Sequence, residues 1–173
     1  MGVSHDQHHA CPHRHRHRSP GRRPLTDGLA ELLDQLSGSV RAVVLTNAPS
    51  TGLDTALRRL GLAGRIDAVL HSAGKPEHSP DLLAELLGDA PAEQLCSVGD
   101  LWTNDIAPAL HLGCVTALID RTGAETRPVH VRAERIEDLY PAIRQWAADP
   151  RAFAVRHDPH RRPIPSVADG SVT

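Results

Sequence analysis

Along residues 26–147, short apolar runs alternate with segments whose leucines fall on one helical face. This alternation constrains the fold more than any other feature. Leu29, Leu32, Leu33 and Leu36 stand at i, i+3, i+4 and i+7, behind Thr26 as a cap and ahead of a stop at Ser37-Gly38. Val40 to Leu45, interrupted only by Arg41, reads as a buried strand that ends at Thr46-Asn47. Leu53, Ala56, Leu57 and Leu60 form the next helical stripe, closed by Gly61, and Ala68 to Leu70 the next strand. Ser79 caps a helix with Pro80 at its first position and Leu82, Leu83, Leu86 and Leu87 on one face. Leu95 to Val98 is a strand that breaks at Gly99-Asp100. A helix through Ile106, Ala109 and Leu110 follows, with Gly113 as its C-cap, then a strand from Cys114 to Ile119. An edge strand at Val129 to Val131 and a last helix near Ile136 to Ala147, bent or begun at Pro141, complete the pattern.

Strands that are apolar on both faces and separated by helices predict an α/β fold, a Rossmann-like parallel sheet flanked by helices. Ligands bind such sheets beyond the carboxyl ends of the strands. Thr46, Asn47, Lys75, Asp100 and Asp105 stand there and are expected to cluster. The chain length suits one domain. Residues 1–24, rich in His, Arg and Pro, read as a disordered tail. Residues 25–148 read as the core domain and 149–173 as a flexible C-terminal tail.

With Trp102, Tyr140, Trp146 and Phe153 as its only Phe, Trp or Tyr residues, the chain must build its core from Leu, Val, Ile and Ala. No apolar run is long enough to span a membrane, and no apolar region marks an N-terminal secretory signal. Cys11, Cys96 and Cys114 lack disulfide or zinc spacing, and the last two sit in apolar runs as buried thiols. A reducing cytoplasm is the simplest setting. Arginines 14, 16, 18, 22 and 23 against Asp6 make the first 23 residues basic, so the remainder of this −2 chain is acidic and a poor nucleic-acid binder. All the basic side chains but one are arginine, and the single lysine is Lys75.

Alone, each polar residue has an ordinary reading: Thr46-Asn47 as a turn, Asn104 or Asp105 as a helix cap, Asp100 as a loop acid, Lys75 as a solvated charge. In register they resemble the haloacid dehalogenase (HAD) superfamily. Val43-Val44-Leu45-Thr46-Asn47 is similar to its second motif. Gly74-Lys75-Pro76, followed by Ser79-Pro80, is similar to its third. Gly99-Asp100, four intervening residues and then Asp105 are similar to its fourth, and the strand ending at Asp120-Arg121 also follows the family. The resemblance covers roughly residues 26–147.

It implies a phosphatase-type hydrolase in which Thr46 and a neighbouring amide bind the phosphoryl group. Lys75 neutralises charge, Asp100 ligates Mg²⁺, and Asp105 supports the metal site or orients Lys75. The substrate implied is a small phosphorylated molecule, with no nucleic acid and no membrane as partner; oligomeric state is not legible. No insertion between residues 47 and 75 is long enough for a cap domain, and Trp102 either lines the entrance of an open site or packs on the sheet.

The family's first motif, Asp-x-Asp at the end of a central strand, supplies the nucleophile and the general acid–base. It is absent from the segment before residue 27, where Asp6, in Val3-Ser4-His5-Asp6-Gln7-His8, follows no apolar run. By resemblance that strand lies between those ending at Thr46 and Asp100, and its loss would leave backbone groups unpaired in mid-sheet. Three outcomes are open: the two neighbours pair directly, another segment or chain fills the slot, or the start of the reading frame is misplaced or the gene truncated.

Three functions compete. One is a Mg²⁺-dependent phosphatase, and another a non-catalytic module binding phosphate, Mg²⁺ or a protein. The third is a metal-binding tail built from His5, His8, His9, Cys11, His13, His15 and His17, with imidazoles that suit Ni²⁺, Zn²⁺ or Cu²⁺. Arg14, Arg16 and Arg18 weaken that third reading by repelling cations.

Overall fold

The computed structural model describes residues 28–161. The basic, histidine-rich segment and its expected metal ligands lie outside the described residues, as does Thr26. The elements run α1 (Leu29–Leu36), β1 (Val43–Leu45), α2 (Leu53–Arg59), β2 (Ala68–Leu70), α3 (Ser79–Leu87), β3 (Cys96–Gly99), α4 (Ala107–His111), β4 (Val115–Ile119), β5 (Val131–Ala133), α5 (Ile136–Ala148) and α6 (Pro150–Arg156). A π-helical turn at Trp102–Ile106 leads into α4. The alternation of strand and helix expected from the sequence is present, with every strand pairing parallel to its neighbour.

Among the described residues the strands do not form one sheet. β1 pairs with β2 in a two-stranded sheet, and β3, β4 and β5 form a second, in that order. Direct pairing of the strands that end at Thr46 and Gly99 is thereby excluded among the described residues.

The centre of mass of the packing is β4, where Val115, Thr116 and Ala117 are fully buried. Adjacent residues point to opposite faces of a strand. Cys114 therefore packs against Leu83 of α3 and Ala109 of α4, and Val115 packs against Trp146 of α5 and Phe153 of α6. Helices cover both faces, as a parallel sheet requires.

Among the described residues no strand lies between β1 and β3. A cleft of about 610 Å³ is lined by β1 and β3 themselves, by Leu32 and Leu33 of α1, by Trp146 of α5 and by Leu83 and Leu87 of α3. Val98 of β3 is 38% exposed, although its counterparts on β4 are sealed.

Several elements differ from the sequence expectation. β1 starts at Val43 because Arg41 is exposed and Ala42 is drawn to Asp67, whose carboxylate accepts from its amide at 2.7 Å. α3 begins at Ser79 itself, with His78 in the capping position and no side-chain cap. β5 lies at Val131–Ala133, two residues later than expected, because His130 is held by Thr116 before the strand begins. Pro141 neither begins nor ends α5 but sits inside it.

The largest correction is at the C-terminal side. Residues 150–156 form α6 rather than part of a loose tail. Pro150 occupies its first position, Asp149 accepts from the amide of Ala152 at 3.0 Å, and Phe153 is buried at 3% exposure. No helix among the described residues is long and apolar enough to cross a membrane.

Candidate functional site

The carboxyl ends of both sheets carry the polar residues singled out in the sequence. Lys75 lies on the loop after β2, and its Nζ donates to Asp105 Oδ1 at 2.6 Å. The two side chains are 14% and 11% exposed, a nearly buried ion pair that spans from the two-stranded sheet to the three-stranded one. The other oxygen of Asp105 accepts from the Leu101 amide at 3.1 Å, and its carbonyl accepts from Ser97 Oγ at 2.7 Å. Asp105 is thus fixed on three sides as the partner of Lys75.

Gly99 makes that approach possible. A Cβ placed on it would lie 2.3 Å from the Asp105 side chain, well inside any real contact. The glycine that precedes Asp100 is required by the geometry of Asp105 rather than by a turn. Gly74 has φ +63°, and a Cβ there would also meet the ring of His78 at 2.4 Å. A side chain at either position would displace the lysine loop or its acid.

The Asn47 side chain binds the loop that carries Lys75. Its Oδ1 accepts from the Lys75 amide at 2.7 Å, and its Nδ2 donates to the Lys75 carbonyl at 3.0 Å. The side chain behaves like an added stretch of backbone that pins the lysine loop to the end of β1. Thr46 closes β1, and its Oγ1 accepts from the Ala48 amide at 3.1 Å. Its hydroxyl hydrogen is thereby left to donate elsewhere, since a hydroxyl both accepts and donates.

Asp100 is not brought into the Lys75–Asp105 pair. Its side chain is 54% exposed and stands 3.9 Å from an Arg121 guanidinium nitrogen. Beside it, Trp102 Nε1 donates to the Pro128 carbonyl at 3.0 Å, and the Arg127 guanidinium stacks over the indole ring at 4.1 Å. Trp102, Asp100, Arg121 and Glu125 line a second hollow of about 350 Å³. The Arg127 guanidinium bonded to Glu125 holds that carboxyl down at about 2. Asp120 is also held below the usual carboxylate range, first by the Glu125 amide and then by the Thr122 hydroxyl and amide.

The donor set is suited to a hard cation only in part. Asp100 offers one outward carboxylate of the kind Mg²⁺ takes, while Asp105 is engaged with Lys75. Among the described residues no three His, Cys, Asp or Glu side chains converge on a metal position. No described carboxylate other than Asp105 contacts Lys75.

Two solved structures share this arrangement of elements. A HAD phosphatase from Thermococcus onnurineus superposes with a TM-score of 0.52 at 20% identity, over 65% of this chain and 55% of that one. The fold is HAD-like. A haloacid dehalogenase-like family hydrolase from Xanthomonas campestris gives a TM-score of 0.52 at 19% identity, over 78% of this chain and 53% of its own. The HAD-like chain therefore spans about half the length of each of these structures. Comparisons with protein-family models and with curated proteins find no match.

The sequence located Lys75, Asp100 and Asp105 at the strand ends. It missed the clamping role of Asn47, the Ser97 anchor on Asp105 and the Arg127–Trp102 stack. Each of these joins residues eight or more positions apart, through contacts that local patterning does not encode.

Proposed function

We propose that this HAD-like chain carries the phosphoryl-handling part of a phosphatase-type site, for a small phosphate monoester together with Mg²⁺. The observation that carries the reading is the 2.6 Å pair of Lys75 and Asp105, the chain's only lysine held nearly buried at the mouth of the strand ends. A phosphoryl group needs fixed positive charge and hydrogen-bond donors around its equatorial oxygens. Lys75 supplies the charge, and its ammonium keeps two donors beyond the one given to Asp105. Thr46 supplies a hydroxyl donor, and Asn47 holds the lysine loop in place. Asp100 would hold Mg²⁺, which when bound neutralises charge on the phosphate oxygens.

Hydrolysis of a monoester would need water and a carboxylate or base to open the P–O bond, and Asp105 is already committed to Lys75. That commitment favours a second reading, in which residues 1–173 bind phosphate and Mg²⁺ without turnover. The test is p-nitrophenyl phosphate hydrolysis with Mg²⁺, beside calorimetric titration of inorganic phosphate, for the full chain and for Lys75→Ala and Asp100→Asn. Phosphate binding lost in Lys75→Ala supports the site, and turnover lost in Asp100→Asn supports the phosphatase. Phosphate binding that survives Lys75→Ala unchanged sinks both readings.

A further inference from the structure

We infer that Arg121 is a specificity-determining residue whose guanidinium reads a second oxyanion, a carboxylate or a further phosphate, at the far end of the phosphate monoester. The inference deepens the phosphoryl-handling reading proposed above and rests on it.

An exposed arginine by itself is only a solvated charge. Arg121 differs in how its backbone is held. Asp120, buried at 8% exposure just after β4, folds the following loop around its carboxylate. That carboxylate accepts from the Glu125 amide at 2.9 Å, the Thr122 hydroxyl at 3.2 Å and the Thr122 amide at 3.3 Å. The Asp120 carbonyl accepts from the Gly123 amide at 3.2 Å. Arg121 is thereby carried on a fixed base at the carboxyl end of β4, where parallel sheets receive their ligands. Its side chain is 64% exposed and lines the hollow of about 350 Å³.

The other charges on this rim are already matched. Glu125 pairs with the Arg127 guanidinium, which also stacks on Trp102, and Arg132 donates to the Arg127 carbonyl at 2.7 Å. Of the carboxylates that line the hollow, Glu125 is bound to Arg127 and Asp120 to its own loop. Asp100 alone is left to face Arg121, at 3.9 Å, beyond hydrogen-bond reach. On the proposed reading Asp100 serves Mg²⁺, so the planar fork of Arg121 keeps its N–H donors for a ligand. Such a fork matches the paired oxygens of a carboxylate or phosphate.

The hollow also borders the Lys75–Asp105 pair. Asp100, on its rim, is joined directly to Leu101, whose amide donates to one oxygen of Asp105 while the other holds Lys75. At about 30 Å³ for each water-sized group, the hollow has room for roughly a dozen, enough for a short carbon chain and a terminal oxyanion. Trp102 offers that carbon chain an apolar wall. Between β1 and β2 the chain places only α2 and its loops, so the choice of substrate falls to residues at the strand ends.

The test is calorimetric titration of the full chain in Mg²⁺ buffer with phosphonates, whose P–C bond is not hydrolysed, so that binding is read apart from turnover. Propylphosphonate is the reference, and phosphonopropionate and propylene bisphosphonate add the second oxyanion. At least one of them should bind about tenfold or more tighter than the reference, as expected of a charge-assisted fork. The larger gain tells a carboxylate from a second phosphate. In Arg121→Gln the gain should fall to about twofold or less, and Arg121→Lys, which keeps the charge without the fork, should restore part of it. Aminopropylphosphonate should bind no tighter than the reference. A gain that is absent in the unaltered chain, or that survives Arg121→Gln, overturns the inference, while binding of inorganic phosphate in the same titrations upholds the phosphoryl-handling reading. Tighter binding of aminopropylphosphonate overturns it too, and gives the hollow's carboxylates to a cationic group. Failure of inorganic phosphate to bind overturns both.

Discussion

Replacing Asp105 by alanine tests whether the Lys75 pair is a structural charge couple or a surface contact. Both side chains are nearly buried, at 14% and 11% exposure, so the Lys75 ammonium would be left with little solvent to replace the carboxylate. Breaking a buried pair by removing one partner costs about 3–5 kcal/mol, against about 0–1 kcal/mol for exposed pairs. The Leu101 amide would lose its acceptor as well, although its exposed surroundings let water substitute. Unfolding entropy of about 2.1 cal/mol/K per residue over residues 28–161 gives about 0.28 kcal/mol/K. A loss of about 3–5 kcal/mol then lowers Tm by about 10–18 °C. The double variant Asp105→Ala with Lys75→Met should recover at least half of that loss, because the unpaired ammonium is gone. Urea unfolding followed by circular dichroism measures all three proteins. A loss under about 1 kcal/mol in Asp105→Ala, or a double variant less stable than the single one, would refute the argument.

Three further outcomes are expected. Phe153→Ala should cost about 3–5 kcal/mol in urea unfolding, because the ring is buried against Val115 and Trp146; a neutral effect would return α6 to the status of a tail. Glu125 is held at about 2 against an ordinary 4.5, so its pairing stabilises the fold above pH 4.5 and that contribution is lost as pH falls toward 2; Glu125→Gln should flatten this part of a Tm-against-pH curve, and an unchanged acid limb would contradict it. Burial pushes the Cys96 thiol to about 12 and the Cys114 thiol to about 11, so at pH 8 iodoacetamide should label both far more slowly in the folded chain than in the urea-unfolded chain, as read by peptide mass spectrometry.

The legible part of this molecule is the part written in local pattern. The leucine stripe at residues 29–36 and the run at 68–70 became α1 and β2 within their expected bounds, since an amphipathic period and a short apolar run each have one good home in a layered fold. Lys75 and Asp105 were legible as strand-end residues, and the ion pair between them is a consequence of both lying at the same edge. The clamp made by Asn47 was not legible, because nothing near it in sequence shows that its amide group bonds a backbone 28 residues away. The π-helical turn at 102–106 has no sequence period of its own. α6 did carry a signal, Asp149-Pro150 ahead of Phe153, but it sat inside a stretch whose Arg, His and Pro content argued for a tail.

The lone lysine has a practical side. Amine-directed chemistry, whether an acylating reagent, a cross-linker or a biotin ester, finds one ε-amino group in the whole chain, and it is the one held against Asp105. Reaction there removes the fixed cation, so on the proposed phosphoryl-handling reading modification and phosphate binding should exclude each other. A bound phosphate becomes readable as protection of a single residue in a mass spectrum. The same property warns against immobilising this protein through its amines at a pH where Lys75 reacts as well as the N-terminus, because the tether would then occupy the site under study.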